Sequence, residues 1–212
     1  TLTCLCIACC GSGAVAATAA PAKGGEAAGY LVEFTVHQIS AWGYKDVCLH
    51  TDGEPSIVAP VSKVGKAREG RTVPEHGARY SHQSQGTVEQ AVKAVEGQSR
   101  TLLHHLAEKF GEEFTAQDAV VVWSVRHSGY LLAHCRIQAH GRSAHAVLRG
   151  GKEYRGELAE FGEVVWGRDP TPLADHSKLS VRWERALWLG KVELSDEHVL
   201  VFNNTRLAKT RT

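Results

Sequence analysis

Methionine is absent from all 212 residues and the chain opens at Thr1, which together predict a segment of a longer reading frame. Excess charge is almost absent too. With 24 Lys and Arg against 23 Asp and Glu, the net charge is +1, so any case for a polyanionic partner has to be local. No apolar stretch reaches the roughly 20 residues that span a bilayer, and no membrane partner is expected. The most apolar stretch, TLTCLCIACCGSGAVAATAA (1–20), has no basic segment ahead of it and is broken by Gly11-Ser12-Gly13. It reads as strand, turn, strand rather than as a secretory leader.

A disulfide framework is also missing. Four of the six cysteines, Cys4, Cys6, Cys9 and Cys10, crowd into the first ten residues, and Cys48 and Cys135 stand alone. Cys6 and Cys9 form a CxxC without the second pair that would complete a zinc site. The thiols are therefore expected to pack as small buried hydrophobes, and free thiols predict an intracellular chain. The 12 histidines show no zinc-ligand spacing and are expected on the surface or in the core.

What is present is a globular composition, 43% hydrophobic and 22% charged, able to bury an ordinary core. Residues 2–8 and 14–20 predict a β-hairpin. Leu31, Val32, Thr35, Val36, Ile39 and Trp42 recur at helical spacing over 27–42, with Gly43 placed as a C-terminal cap. A strand over 46–51 runs into Asp52-Gly53-Glu54-Pro55, where Pro55 suits a helix start and Pro60 should kink or shorten that helix.

The polar segment 63–84 is expected to be mostly loop, with a short strand near 71–73. A long helix follows over 86–110, with Val88, Val92, Val95, Leu102 and Leu106 as its buried stripe. Another helix spans 116–135. After Gly150-Gly151 the texture becomes short β runs with aromatics, at 156–168, 182–191 and 198–204, which predicts a small antiparallel β-barrel whose core holds Trp166, Trp183 and Trp188. A module boundary is placed there, dividing 1–150 from 151–212.

Two carboxylates stand out by position. Asp52 ends a strand, and Glu89 opens a long helix behind a polar loop, with 36 residues between them. Two-metal phosphoryl transfer needs such acids from separate elements, because two divalent ions about 3.5–4 Å apart must be held at once. Taken alone, Asp52 is equally a turn residue before Pro55, Glu89 an acid favoured by the helix dipole, and Lys93, Glu96 and Arg100 solvated i,i+4 partners.

The surrounding words add to the spacing. TDGEPS (51–56) and SHQSQGTVEQAVKAVEGQSRTL (81–102) resemble the sequences around the second and third catalytic acids of retroviral and retrotransposon integrases. Together with VRHSGYLLAHCR (125–136), the YRGELAEFGEVV run (154–165) and WLGK (188–191), they resemble the integrase region of copia-type retrotransposon polyproteins over most of the chain. The resemblance implies an α/β, ribonuclease H-like core followed by an SH3-like β module, with Mg²⁺ or Mn²⁺ as cofactor and DNA as partner. It also implies a homo-oligomer and nuclear action.

It further implies that Asp52 and Glu89 bind metal, that Lys93 faces DNA, and that Gln83 to Gly86, with Gln85 among them, form a loop near the site. Arg79 and Arg100 are weaker candidates for phosphate contacts. The pattern departs from the family at its first acid, which belongs to an opening strand ahead of the hairpin, whereas here the earliest acid is Glu26, and in having no His and Cys pairing of the family's amino-terminal HHCC type. Two functions follow as expectations. One is integrase-type strand transfer by the complete parent, impaired in this chain. The other is a non-catalytic nucleic-acid-binding or structural remnant.

Overall fold

The structure, a computed structural model, describes residues 2–21, 26–51, 55–76, 82–168, 182–203 and 206–211, with backbone alone at 26–27, 55–56, 76 and 82–85. β1 (Thr3–Ala8) and β2 (Val15–Ala20) form the expected antiparallel hairpin, Thr3 opposite Ala20 and Ala8 opposite Val15. α1 (Glu26–Ala41) buries Leu31, Val32 and Ile39. It ends at Gly43, whose φ of +80° is the left-handed cap that lets the Tyr44 amide donate to the Ile39 carbonyl at 3.3 Å.

β3 (Val47–Thr51), α2 (Pro55–Ala67) and β4 (Thr72–His76) follow, and β4 runs parallel to β3, as an intervening helix requires. β4 is longer than the strand foreseen near 71–73. α2 continues through Pro60 to Ala67, so the proline removes one donor without ending the helix. α3 (His82–Phe110) begins four residues before the expected start, and the backbone of Gln83 to Gly86, expected as loop, is already helical. α4 (Ala119–His134) and the short α5 (Ala144–Leu148) complete the helices among the described residues. Ser143 caps α5, its Oγ accepting from the Ala146 amide at 3.1 Å.

The remaining strands are β5 (Val164–Arg168), β6 (Trp183–Lys191), β7 (His198–Phe202) and β8 (Arg206–Thr210), an antiparallel sheet in that order. The chain is thus a mixed α/β fold. Hairpin, helix, strand, helix, strand and two helices follow one another in the order foreseen. β1–β2 and β3–β4 remain separate two-stranded sheets, and no described strand joins them.

The expected barrel does not close: β5 and β8 lie at opposite edges of an open sheet. The expectation for the indoles fails with it. Trp188 is buried at 1% exposure, but Trp166 and Trp183 are 66% and 57% exposed, because closure would have covered the outer end of the sheet. The thiol expectation is also corrected. Cys4, Cys10, Cys48 and Cys135 are exposed, and Cys6 and Cys9 only half-buried. The hairpin fills the core from β2, which is buried at every position, and β1 stays half open.

α4 is the centre of packing. On one side it meets β2, whose sequence VAATAA presents side chains small enough for helix and strand to approach closely. At the crossing stands Gly129, where an added Cβ would lie 2.7 Å from the Ala17 amide nitrogen. The apolar cluster of Val15, Ala17, Ala19, Ala91, Val95 and Val125 closes this side. Buried hydroxyls are satisfied locally: Ser99 Oγ lies 2.7 Å from Ser124 Oγ, and Ser128 Oγ donates to the Ser124 carbonyl at 2.7 Å.

On its other side α4 meets the open sheet. Leu106, Val120, Trp123, Phe161, Leu189, Val199 and Val201 form one cluster across position 150. The Arg126 guanidinium lies over the Trp123 ring at 5.0 Å and the Phe34 ring at 5.3 Å, and reaches Glu193 at 3.3 Å. His127 stacks on Phe161 at 5.4 Å and meets Trp188 edge-on at 5.2 Å. His134 stacks on Tyr130 at 3.9 Å. Tyr154 Oη donates to Asp196 Oδ1 at 2.9 Å, and Lys191 Nζ holds Asp196 Oδ2 at 3.0 Å. Burial pushes both His127 and His134 down to about 4, with the nearby His145 adding to the effect at His134.

Two measurements test this packing. Gly129→Ala should lower stability by about 1–3 kcal/mol in urea unfolding, because the methyl overpacks the crossing. Gly97→Ala, in α3 with open space around the added Cβ, should raise it by about 0.5–1 kcal/mol; equal effects of the two would refute the close-approach account. The histidines give a pH dependence. Their folded values lie below the unfolded value of about 6.5, so the unfolded chain binds protons first and stability falls as pH drops from 6.5 towards 4. The loss is on the order of 1.4 kcal/mol per unit of separation for each group, and His134→Gln should flatten the difference between pH 7 and pH 5. Equal stability of the unsubstituted chain at those two pH values would overturn the assignment.

Candidate functional site

The sequence put Asp52 at the carboxyl end of a strand, and that strand, β3, pairs in parallel with β4. β3 ends at Thr51, so Asp52 comes directly after the strand, as expected. Asp52 and Arg79 themselves lie outside the described residues, as do the side chains of Gln83 and Gln85. Glu89 is the eighth residue of α3 rather than part of its first turn, because the helix starts earlier than expected. Its side chain is exposed, and so is that of Lys93 one turn later. No described ion pair joins the two.

Glu96 and Arg100, the next members of this face, do pair, at 3.9 Å, with side chains 58% and 75% exposed. An exposed i,i+4 pair of this kind contributes a few tenths of a kcal/mol, about 0.3–0.5. Arg100 is therefore only loosely held and can be drawn to a phosphate at small cost.

Beside these charges, the expected buried stripe of α3 divides in two. Val95 and Leu106 are buried at 4% and 0% exposure, whereas Val88 and Val92 are 39% and 36% exposed. The cause is what lies opposite. α4 and the open sheet cover the carboxyl half of α3, and Ala91 and Val95 pack against the hairpin and Val125. Val92 instead lines a groove of about 210 Å³ that β1 leaves open. Cys4 and Cys6 line one wall, Val92, Val95 and Ser99 the other, and Glu96 and Arg100 stand beside them.

Burial raises Cys6 to about 12, with Cys4 adding to it, and burial together with Glu96 raises Cys4, so both thiols are protonated in the metal-free chain. Cys9, the other member of the CxxC, differs. Burial would raise it, but hydrogen bonds from Ser12 and Tyr44 outweigh that and pull it down, with Cys9 Sγ 3.4 Å from Tyr44 Oη. Among the described residues no three His, Cys, Asp or Glu side chains converge in a way that could hold a metal ion. Glu89 thus stands apart from any other described acid cluster.

Sequence reasoning missed the exposure of Trp166 and Trp183. A signal was available: Val164-Trp166-Arg168 and Trp183-Arg185 alternate so that each indole shares a strand face with an arginine, and a core-facing run carries no arginines at such positions.

The comparisons with known proteins find similarity among solved structures only. No family model matches the chain, and no curated protein matches it. Among solved structures it is similar to the catalytic core domain of BIV integrase, with 20% identity, a TM-score of 0.48, and coverage of 69% of this chain and 85% of that one. It is also similar to a chain of the simian T-cell lymphotropic virus intasome in complex with PP2A regulatory subunit B56 gamma. There the identity is 15%, the TM-score 0.46, and the coverage 94% of this chain and 66% of that one.

Proposed function

We propose that this chain is the core segment of a copia-type, integrase-like polynucleotidyl transferase that acts on DNA, with 1–150 as the core and 151–212 as an accessory β module. The observation that carries the reading is the pair of words TDGEPS and SHQSQGTVE, one running from the last residue of strand β3 into α2 and the other over the first turns of helix α3. In this reading Asp52 and Glu89 bind the metal. Lys93, Gln83, Gln85, Arg79 and Arg100 contact the DNA backbone, copies of the chain assemble on the substrate, and the work is done in the nucleus.

The fit of Glu89 to a divalent cation rests on the exposure of its side chain, which puts the carboxylate within reach of a solvated ion. Mg²⁺ or Mn²⁺, once bound, supplies charge neutralisation at the phosphodiester and a lowered pKa for the attacking hydroxyl. The chain's own contribution is placement: a strand end fixes one acid, a helix face fixes the other, and the cations beside Glu89 hold the phosphates that flank the reacting one.

A second reading, a non-catalytic DNA-binding remnant, rests on the hairpin, whose residues 3–20 include no carboxylate that could join Asp52 and Glu89. An assay with Mn²⁺ and a DNA duplex bearing a free 3′ hydroxyl separates the two. Weak nicking or joining is expected, reduced tenfold or more in Asp52→Asn and in Glu89→Gln. Rates that ignore both substitutions in folded protein would refute the metal assignment, and DNA binding without any reaction would select the remnant.

A further inference from the structure

The outer end of the β5–β6 ribbon carries two exposed indoles among arginines. In the antiparallel register Trp166 stands opposite Arg185, and Trp183 opposite Arg168. Directly opposed residues share a face, as do residues two apart on one strand. Trp166, Arg168, Trp183 and Arg185 therefore form one quartet, with Val164 and Leu187 continuing the same face inward. All four are exposed, Trp166 by 66% and Trp183 by 57%. Further along this face Leu187, Leu189, Val199 and Val201 join the core against α3 and α4, so the face changes from buried to bare within one ribbon.

The opposite face of the same residues is firmly backed. Val165 and Ala186 pack with Trp188, Leu200 and Phe202. At Gly167 an added Cβ would fall 2.3 Å from the Leu200 side chain. The quartet is thus displayed on a braced sheet rather than on a loop.

The chemistry of the face narrows what can cover it. Neither Arg168 nor Arg185 has a described ion-pair partner, and no carboxylate belongs to the quartet. Of the acids that adjoin it in sequence, Asp169 lies outside the described residues, and Glu184 points to the other face and pairs there with Arg206 at 3.3 Å. A partner must therefore bring negative charge and flat apolar surface together. A second copy of the same face would set arginine against arginine. Duplex DNA offers phosphates, but it keeps the faces of its bases stacked and closed.

We propose that the Trp166, Arg168, Trp183 and Arg185 face binds single-stranded nucleic acid, with unpaired bases stacking on the two indoles and the guanidinium groups taking the phosphates. Diagonal neighbours on a ribbon lie about 7–8 Å apart, close to twice the roughly 3.4 Å rise of stacked bases. One base can lie between the indoles, or one on each. The proposal extends the function given above, whose partner is DNA, but it uses neither Asp52 nor Glu89 and needs no metal.

The test is fluorescence anisotropy of a labelled 20-nucleotide oligothymidylate, and of a duplex of equal length, titrated with the full chain in EDTA. Trp166→Ala with Trp183→Ala should weaken oligothymidylate binding tenfold or more and change duplex binding by less than threefold. The corresponding pair of Phe substitutions should restore binding to within threefold of the unsubstituted chain. Arg168→Ala and Arg185→Ala should each lower the slope of log affinity against log salt by about 0.7. Single-strand binding that survives the double Ala substitution would overturn the proposal. So would an equal loss on duplex, or indole-dependent self-association in sedimentation without oligothymidylate binding. Because EDTA removes metal-dependent chemistry, failure here leaves the strand-transfer reading standing, and failure of that reading leaves this one standing.

Discussion

The close approach of α4 to β2 is the constraint from which the rest of the fold follows. A helix can settle on a strand at this distance only if both present almost no side chain at the crossing, and here Gly129 faces Ala16 and Ala17. The hydrophobic return per residue is small for alanine. The contact therefore works by bringing backbones together and letting larger groups on either side, Val15, Val95 and Val125, close the rim. A strand of valines and leucines at 15–20 would hold α4 away and open the core from the middle.

With α4 fixed on the hairpin, its opposite side is committed as well. Trp123, His127 and Tyr130 point towards the β module and are buried there. Burial of aromatic and imidazole rings on that side brings polar groups in with them, and these are mostly answered in place: Arg126 by Glu193, and Tyr154 and Lys191 by Asp196. Two described atoms are exceptions, Arg126 Nε and His127 Nδ1, each buried without a hydrogen-bond partner. A neutral ring tolerates that environment far better than a charged one. The junction of core and module is therefore more sensitive to acid than either apolar cluster.

How much of this the sequence made legible differs by element. The hairpin, α1 with its Gly43 cap, β3 and α4 are set by local periodicity and turn chemistry, and they fall within a few residues of expectation. The start of α3 moved because the Gln-rich stretch before Glu89 lacks the Gly-Pro punctuation of a true loop, so the helix runs back through it to His82. The errors lie where burial depends on partners distant in the chain. Val88 and Val92 have helical spacing but nothing opposite them, and Trp166 and Trp183 have strand spacing on a face that the open sheet leaves uncovered. Of the candidate site, residue types and order were legible. Distances were not, since they depend on how the segment after β3 meets α3.

The separate sheets and the uncovered part of α3 belong together. Among the described residues β1–β2 and β3–β4 form two sheets rather than one, so the hairpin shares no strand edge with β3. Where β1 faces α3, Val92 stays exposed above a groove along Cys4 and Cys6. Val95 packs against Val15, Ala17 and Val125, and Leu106 against the open sheet. The position of the Glu89 carboxylate is therefore set by packing further along its helix rather than by any described contact of the acid itself.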